Sequence, residues 1–250
     1  MRWNLDLFFI LAVTIAFFFG GIVKGVVGMG LPLVALALMT TVLDLKTAVS
    51  LVVFPIILTN ILQAIRGGLF KKLLRKFWPM LATAAIGVFG GVYALYQFDP
   101  SFFLITLGII LGGYSINNLF AVRLSITEQS LPIMSPVVGL CSGLIAGMTG
   151  SMGLPVIIYF QALGFRKDMF VQGIGIQFVF LGLILAIALF YQGGLTAEIS
   201  VISALAVLPS LLGMYAGKLV RDKVSEDRFR TWLYIVLFIV ALNLIRKGLF

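Results

Sequence analysis

Two glycine-rich breaks interrupt apolar segments of this chain, and in both a leucine and a proline follow the last glycine. The first break contains Gly28, Gly30, Leu31 and Pro32, and the second contains Gly150, Ser151, Gly153, Leu154 and Pro155. Glycine permits a positive φ and a close approach of the backbone to a ligand, whereas proline favours the first turn of a new helix. New helices are therefore predicted to begin near Leu31 and Leu154, where free N–H groups and the positive end of the helix dipole favour a bound anion.

Lys24 is the one charged residue well inside an apolar segment, and it shortly precedes the first break. If that segment spans a membrane, such an ionisable residue is a functional candidate by default. In one interpretation its ammonium helps to neutralise an anion beside the helix N-termini. In the other, the long side chain snorkels to the lipid headgroups.

Amide side chains within apolar segments are the remaining candidates for an anion site. Asn60 and Gln63 lie one helical turn apart on one face, and Gln177 follows the second break. Each could bond an oxyanion, although bonding to a neighbouring helix is the commoner role of such amides, and Gln172 belongs to the same group.

The composition identifies the environment of these segments. Of 250 residues, 61% are hydrophobic and only 11% are charged, against roughly 45–50% and about 25% in soluble domains. The 18 basic residues, which give a net charge of +9, fall mostly in short loops. This distribution is typical of the positive-inside bias, so the expected partner is the lipid bilayer and not nucleic acid. The chain is predicted to be an all-α polytopic membrane protein of eight to ten segments.

Several classes of chemistry lack the residues they need. The sequence has no histidine and a single cysteine, Cys141, which excludes a histidine-based triad and a Cys/His zinc site. The nine acidic residues lie in loops or at segment ends, so a carboxylate proton relay is not expected. No catalytic residue, metal or cofactor is predicted. Energy coupling stays open between the membrane potential, Na⁺ at the break carbonyls and proton exchange on Lys24.

An internal repeat emerges when the two breaks are overlaid. Gly67-Gly68-Leu69 then corresponds to Gly193-Gly194-Leu195. The matched glycine pairs are Gly21/Gly25 with Gly143/Gly147, and Gly87/Gly91 with Gly213/Gly217. The shared order indicates duplication, with repeats over residues 1–124 and 131–250. The paired glycines themselves are predicted to form helix-packing surfaces, and Pro55 and Pro209 are predicted to kink full-length spans.

Charge predicts the relative orientation of the repeats. The loop at 66–76 is basic while its counterpart at 192–198 has no basic residue, and the pattern reverses between 98–101 and 218–230. Equivalent loops then lie on opposite sides of the membrane, which indicates an inverted repeat of a broken hairpin and three spans. Both termini would be outside, with loops 66–76, 123–130, 166–168 and 218–228 in the cytoplasm. A parallel four-plus-four arrangement is the alternative.

The segments GIVKGVVGMGLPLVALAL and GLCSGLIAGMTGSMGLPVIIYFQALG resemble the paired motifs of the sulfite exporter TauE/SafE family of membrane permeases. The family's second motif commonly reads G-x-G-G-P, from which residues 151–155 depart. The resemblance implies transport of sulfur-containing anions such as sulfite, thiosulfate or organosulfonates across the plasma membrane. Alternating access between two repeats is the expected mechanism. An anion channel and, less favoured, a membrane enzyme or accessory subunit are the alternatives, and the oligomeric state is open.

Overall fold

The computed structural model describes residues 7–120, 125–221 and 226–249, and every regular element in these ranges is helical. Residues 1–6, 121–124 and 250 at the ends of the predicted repeats, and residues 222–225 of a predicted basic loop, lie outside the described residues. The predicted all-α class is confirmed. The helices are α1 (Leu7–Val27), α2 (Leu31–Met39), α3 (Leu45–Leu51), α4 (Val53–Ile65), α5 (Phe70–Gln97), α6 (Pro100–Phe120), α7 (Leu131–Thr149), α8 (Leu154–Ala162), α9 (Lys167–Tyr191), α10 (Ala197–Leu205), α11 (Val207–Arg221) and α12 (Glu226–Leu249).

Six segments are long and apolar enough to cross a membrane. They are Leu7–Val27, Leu45–Ile65, Phe70–Gln97, Leu131–Thr149, Lys167–Tyr191 and Ala197–Val220. Helices α2 and α8 have nine residues each, which gives a length of only about 14 Å. They are therefore too short to cross a membrane, as expected of the second arm of each predicted broken hairpin.

Both breaks end one helix and begin the next where the sequence predicts. Helix α1 ends at Val27 and α2 begins at Leu31, while α7 ends at Thr149 and α8 begins at Leu154. The left-handed backbone of the first break has φ 87° at Gly28 and φ 100° at Gly30. Side chains other than glycine rarely adopt these angles, so the turn depends on glycine here.

At both predicted proline kinks the helix is interrupted and a second helix begins. Pro55 offers no N–H to the carbonyl of Leu51, and α3 and α4 meet at this point. Ser203 of α10 replaces the missing donor, with its Oγ 2.7 Å from the Leu51 oxygen, and it also accepts from the Phe54 N–H at 3.2 Å. The junction of α10 and α11 precedes Pro209 in the same way.

Long helices pack in pairs that correspond under the predicted overlay of the two halves. Helix α1 packs along α11, and α7 packs along α5. Because α1 corresponds to α7 and α11 to α5, these two interfaces are equivalent. Helix α4 packs on α9 and α6 on α12, again joining corresponding elements. The duplication and its orientation in a membrane stay predictions.

The predicted glycine surfaces form both of the equivalent interfaces. A Cβ added at Gly25 would lie 3.0 Å from the Gly217 Cα, and one at Gly91 would lie 2.9 Å from the Gly147 Cα. Real side chains do not tolerate such contacts with backbone, so the two backbones touch only because no Cβ intervenes. The packing role predicted for these glycines is confirmed.

The bundle has two ends of different charge. The basic end carries the loops 66–69 and 163–166, and the hydrogen bond from Leu69 N–H to Gln172 joins them there. The opposite end carries the loops 40–44, 98–99 and 192–196, and Lys247 at the end of α12 donates to the Thr40 carbonyl at 2.9 Å. Basic side chains near the basic end include Arg66, Lys71, Lys72, Arg75, Lys76, Arg166 and Lys167.

Gly91→Ala is expected to destabilise the protein by about 1–3 kcal/mol, because the added methyl group forces the α5 and α7 backbones apart. Gly113→Ala is the matched control, since Gly113 is also helical but a Cβ there meets nothing within 4 Å. Thermal unfolding of the purified variants in detergent measures the difference. Equal unfolding temperatures for the two variants would contradict the packing role of Gly91.

Candidate functional site

The N-termini of α2 and α8 meet at one small cavity. Gly30, Pro32 and Leu33 line it from the first break, and residues 151–154 line it from the second. The remaining walls are Tyr114, Ile157 and Phe178. Its volume of about 20 Å³ is room for roughly one water molecule. The two breaks that the sequence singles out are therefore brought together.

Most residues that line this cavity are apolar, and its polar groups include hydrogen-bond donors at the two helix N-termini. First-turn N–H groups have no partner within their own helix, and both helix dipoles direct their positive ends to the cavity. Neither helix has an acidic residue in its first turn. Ser151 is 1% exposed, and its Oγ has no hydrogen-bond partner within the described part of the chain. Leaving a buried hydroxyl unpaired is costly, so this group would bond whatever molecule occupies the cavity.

Lys24 is buried against α4. Its Nζ lies 2.6 Å from Asn60 Oδ1 and 3.1 Å from Thr59 Oγ1. Both partners are held in place from their own helix, because Thr59 donates to the Pro55 carbonyl and the Asn60 amide donates to the Ile56 carbonyl. The snorkelling conformation considered for Lys24 is therefore not adopted. No carboxylate of the described residues lies within ion-pair distance of this ammonium.

The Lys24 cluster, defined as Lys24, Thr59 and Asn60, is adjacent to the first break but does not line the cavity. Gln63, one turn further along α4, donates from Nε2 to the Gly28 carbonyl at 3.0 Å. Asn60 and Gln63 thus share the face that the sequence predicts, and both contact the end of α1. Helix α4 fixes the break and the buried cation as one unit.

Two glutamines of α9 have opposite surroundings. Gln172 bridges two elements, with Nε2 donating to the Ala64 carbonyl at 2.9 Å and Oε1 accepting from the Leu69 N–H at 3.0 Å. Gln177 is 1% exposed, yet neither atom of its amide has a partner within the described residues. Its side chain faces a second small cavity that is also lined by Phe77 and Phe160. Gln172 therefore has the role of hydrogen-bonding to a neighbouring helix, whereas Gln177 does not.

The other predicted site residues divide between cavity and core. Leu31 is fully buried in the core, whereas Leu154 and Pro155 are half-buried at the start of α8. A Cβ at Gly28 would meet nothing within 4 Å. One at Gly150 would lie 3.2 Å from the Leu36 side chain, which indicates a packing function in addition to the turn.

Sequence reasoning missed Thr59 beside Lys24 and five residues that line the cavity, which are Leu33, Tyr114, Met152, Ile157 and Phe178. Thr59 accepts a hydrogen bond from the Lys24 ammonium. Its position beside Asn60 is the one signal in the sequence that could have indicated this contact. Tyr114 and Phe178 form apolar walls of the cavity. Aromatic residues are too frequent in this chain, at 13% of the sequence, for any of them to stand out.

These features define a multi-pass α-helical membrane protein whose two broken helices converge on one small cavity. Residues 13–244 match the family model described as Sulfite exporter TauE/SafE, and the chain belongs to this family of membrane permeases. The resemblance noted from the two motifs is thereby confirmed. Neither the curated proteins nor the solved structures contain a significant match to the chain.

Gln177→Leu is expected to raise the unfolding temperature, because it removes a buried unpaired amide that costs about 1–3 kcal/mol. Gln172→Leu is the matched control in the same helix, and it should lower the unfolding temperature because the Leu69 N–H and the Ala64 carbonyl lose their partner. Thermal unfolding in detergent measures both. A loss of stability in Gln177→Leu as large as in Gln172→Leu would show that the Gln177 amide is satisfied in the folded protein.

Proposed function

We propose that this permease moves small oxyanions out of the cell across the plasma membrane, with sulfite, thiosulfate and organosulfonates as the substrate class. The observation that carries the proposal is the convergence of the α2 and α8 N-termini on one cavity that also holds the unpaired Ser151 hydroxyl. All of these groups offer donors, and none of the lining residues is acidic. Membership of the sulfite exporter family supports the choice of sulfur anions.

Binding would combine directed hydrogen bonds with an unbalanced positive charge. The oxygens of a sulfite or sulfonate group accept from several donors at once, and each half of the chain contributes a helix N-terminus. Lys24 lies close to the first break and has neutral partners only. In a medium of low dielectric constant its charge favours an anion over a neutral solute.

Transport would require movement, because the cavity holds only about one water molecule. We propose that the chain is an inverted repeat whose halves rock against one another around this cavity, with the basic end in the cytoplasm and both termini outside. Because α1 belongs to the first half and α11 to the second, the glycine interfaces connect each broken hairpin to the other repeat. Such movement would expose the cavity to each side in turn.

Flux of sulfite, thiosulfate, taurine and sulfoacetate into proteoliposomes tests the substrate class, with chloride and succinate as controls. Saturable flux with counterflow is expected for a carrier, whereas a channel would give flux without counterflow. Transport of succinate or a cation alone would overturn the assignment of sulfur anions.

Lys24→Met and Ser151→Ala are each expected to reduce this flux by about tenfold or more, since each removes a buried donor or charge from the site. Lys71→Met at the basic end is the control for charge. Ser142→Ala is the control for the hydroxyl, because Ser142 is also buried with an unpaired Oγ but does not line the cavity. Equal flux in the site variants and their controls would contradict the proposed site.

A further inference from the structure

Lys24 is the only charged side chain that is buried in the described part of the chain, and its exposed fraction is 3%. The acidic side chains whose placement is described are all exposed, and they are Asp44, Asp99, Asp168 and Glu198. The sequence has no histidine. Tyrosine aside, Lys24 is therefore the one group in the described interior that could bind and release a proton.

The hydrogen bonds of Lys24 satisfy two N–H groups and not three. Its Nζ donates to Thr59 Oγ1 at 3.1 Å and to Asn60 Oδ1 at 2.6 Å. Both oxygens must accept, because the Thr59 hydroxyl proton is used on the Pro55 carbonyl and the Asn60 amide group on the Ile56 carbonyl. A neutral amine has two N–H groups, whereas an ammonium has three. The third N–H, which only the ammonium carries, has no partner among the described residues.

The backbone joins Lys24 to the first break and so to the cavity. The Lys24 carbonyl accepts from the Gly28 N–H at 2.8 Å, and the Gly28 carbonyl accepts from Gln63. A Cβ at Gly30, which lines the cavity, would lie 3.2 Å from the side chain of Val23. Because charges act over long distances in a medium of low dielectric constant, the charge state of Lys24 affects an anion at the cavity.

The ionisable side chains described on the elements that pack against α1 do not offset a charge on Lys24. Helices α2 and α4 contain no ionisable residue. Helix α11 contributes Tyr215 and Lys218, which are exposed, and α12 contributes the buried Tyr234. Arg66, which follows α4, is exposed as well. Water screens the exposed cations, so within the described residues Lys24 has neutral acceptors and no fixed counter-charge.

We propose that Lys24 binds a proton together with the transported anion, which makes the chain a proton–anion cotransporter. This coupling rests on the proposed function, because it names the second ion that moves with the anion. The Nζ lone pair takes a proton from a hydronium ion on the side from which the anion enters, which leaves a water molecule. The same N–H bond breaks on the other side, where the proton returns to water as the anion leaves.

For a monovalent anion this cycle leaves no net charge in the bundle in either state. While the anion is bound, its charge offsets part of the cost of the buried ammonium. After the anion leaves, the amine is neutral and both of its N–H groups keep their acceptors on α4. By linkage, proton binding and anion binding strengthen one another by the same factor.

Calorimetric titration of the full chain in detergent tests this coupling, with isethionate and thiosulfate as the anions. Both keep their charge between neutral and alkaline pH, so any pH dependence belongs to the protein. Repeating each titration in buffers of different ionisation enthalpy counts the protons taken up. At alkaline pH about one proton per anion is expected. The affinity should fall by about tenfold for each pH unit, because binding consumes a proton.

Two variants separate the proton from the charge. Lys24→Arg keeps a cation that does not lose its proton, so it should bind the anions without proton uptake and with an affinity that is independent of pH. Asn60→Asp places a fixed carboxylate beside Nζ. It should abolish proton uptake and weaken anion binding by about tenfold or more, because the carboxylate repels the anion. Lys71→Met, at an exposed lysine of the basic end, is the control and should keep proton uptake.

The failure of the coupling and the failure of the proposed function give different results. Anion binding without proton uptake, at an affinity that does not change with pH, would overturn the coupling and leave the proposed function standing. Proton uptake that survives in Lys24→Arg would overturn the role given to Lys24. If the folded protein binds neither anion, the coupling is overturned, and flux of the same anions in proteoliposomes decides whether the proposed function falls with it.

Discussion

The fold depends on satisfying backbone N–H groups where two helices break inside an apolar bundle. Lipid cannot bond these groups, so a broken helix at this depth must be surrounded by protein or face a polar cavity. Helix α2 is accordingly among the most buried elements, with Leu31, Ala35 and Leu36 inaccessible. Both breaks lie at one cavity, so the same surrounding residues shield both broken helices from lipid. The free N–H groups at this cavity are donors that a bound anion would satisfy.

Reciprocal glycine contacts make this arrangement possible. Lipid provides no hydrophobic force between helices, so α1 and α11 are held by close backbone packing, as are α5 and α7. A side chain at Gly147 or Gly217 would push these helices apart. Since α1 and α7 carry the two breaks, their packing against helices of the other half also sets the separation of the α2 and α8 N-termini.

Local signals in the sequence predicted much of the backbone, because glycine and proline act on their own neighbours. The starts of α2 and α8, the kinks before Pro55 and Pro209 and the glycine interfaces follow from such signals. The hydrogen-bond partners of side chains were harder to predict from the sequence. Gln172 and Gln177 are five residues apart in one helix, and only the positions of Ala64 and Leu69, distant in sequence, make the first a bridge and leave the second unpaired.

The buried charge of Lys24 is one of the observations that support the proposed anion site. Its repeat counterpart is Ala146, so packing of the equivalent helix α7 does not require a lysine there. Neutral oxygens of Thr59 and Asn60 solvate the ammonium without cancelling its charge. Taking a charge out of water is costly, and an opposite charge nearby offsets part of that cost. Under the proposed function, an anion bound beside the first break would supply this offset, and its departure would restore the cost.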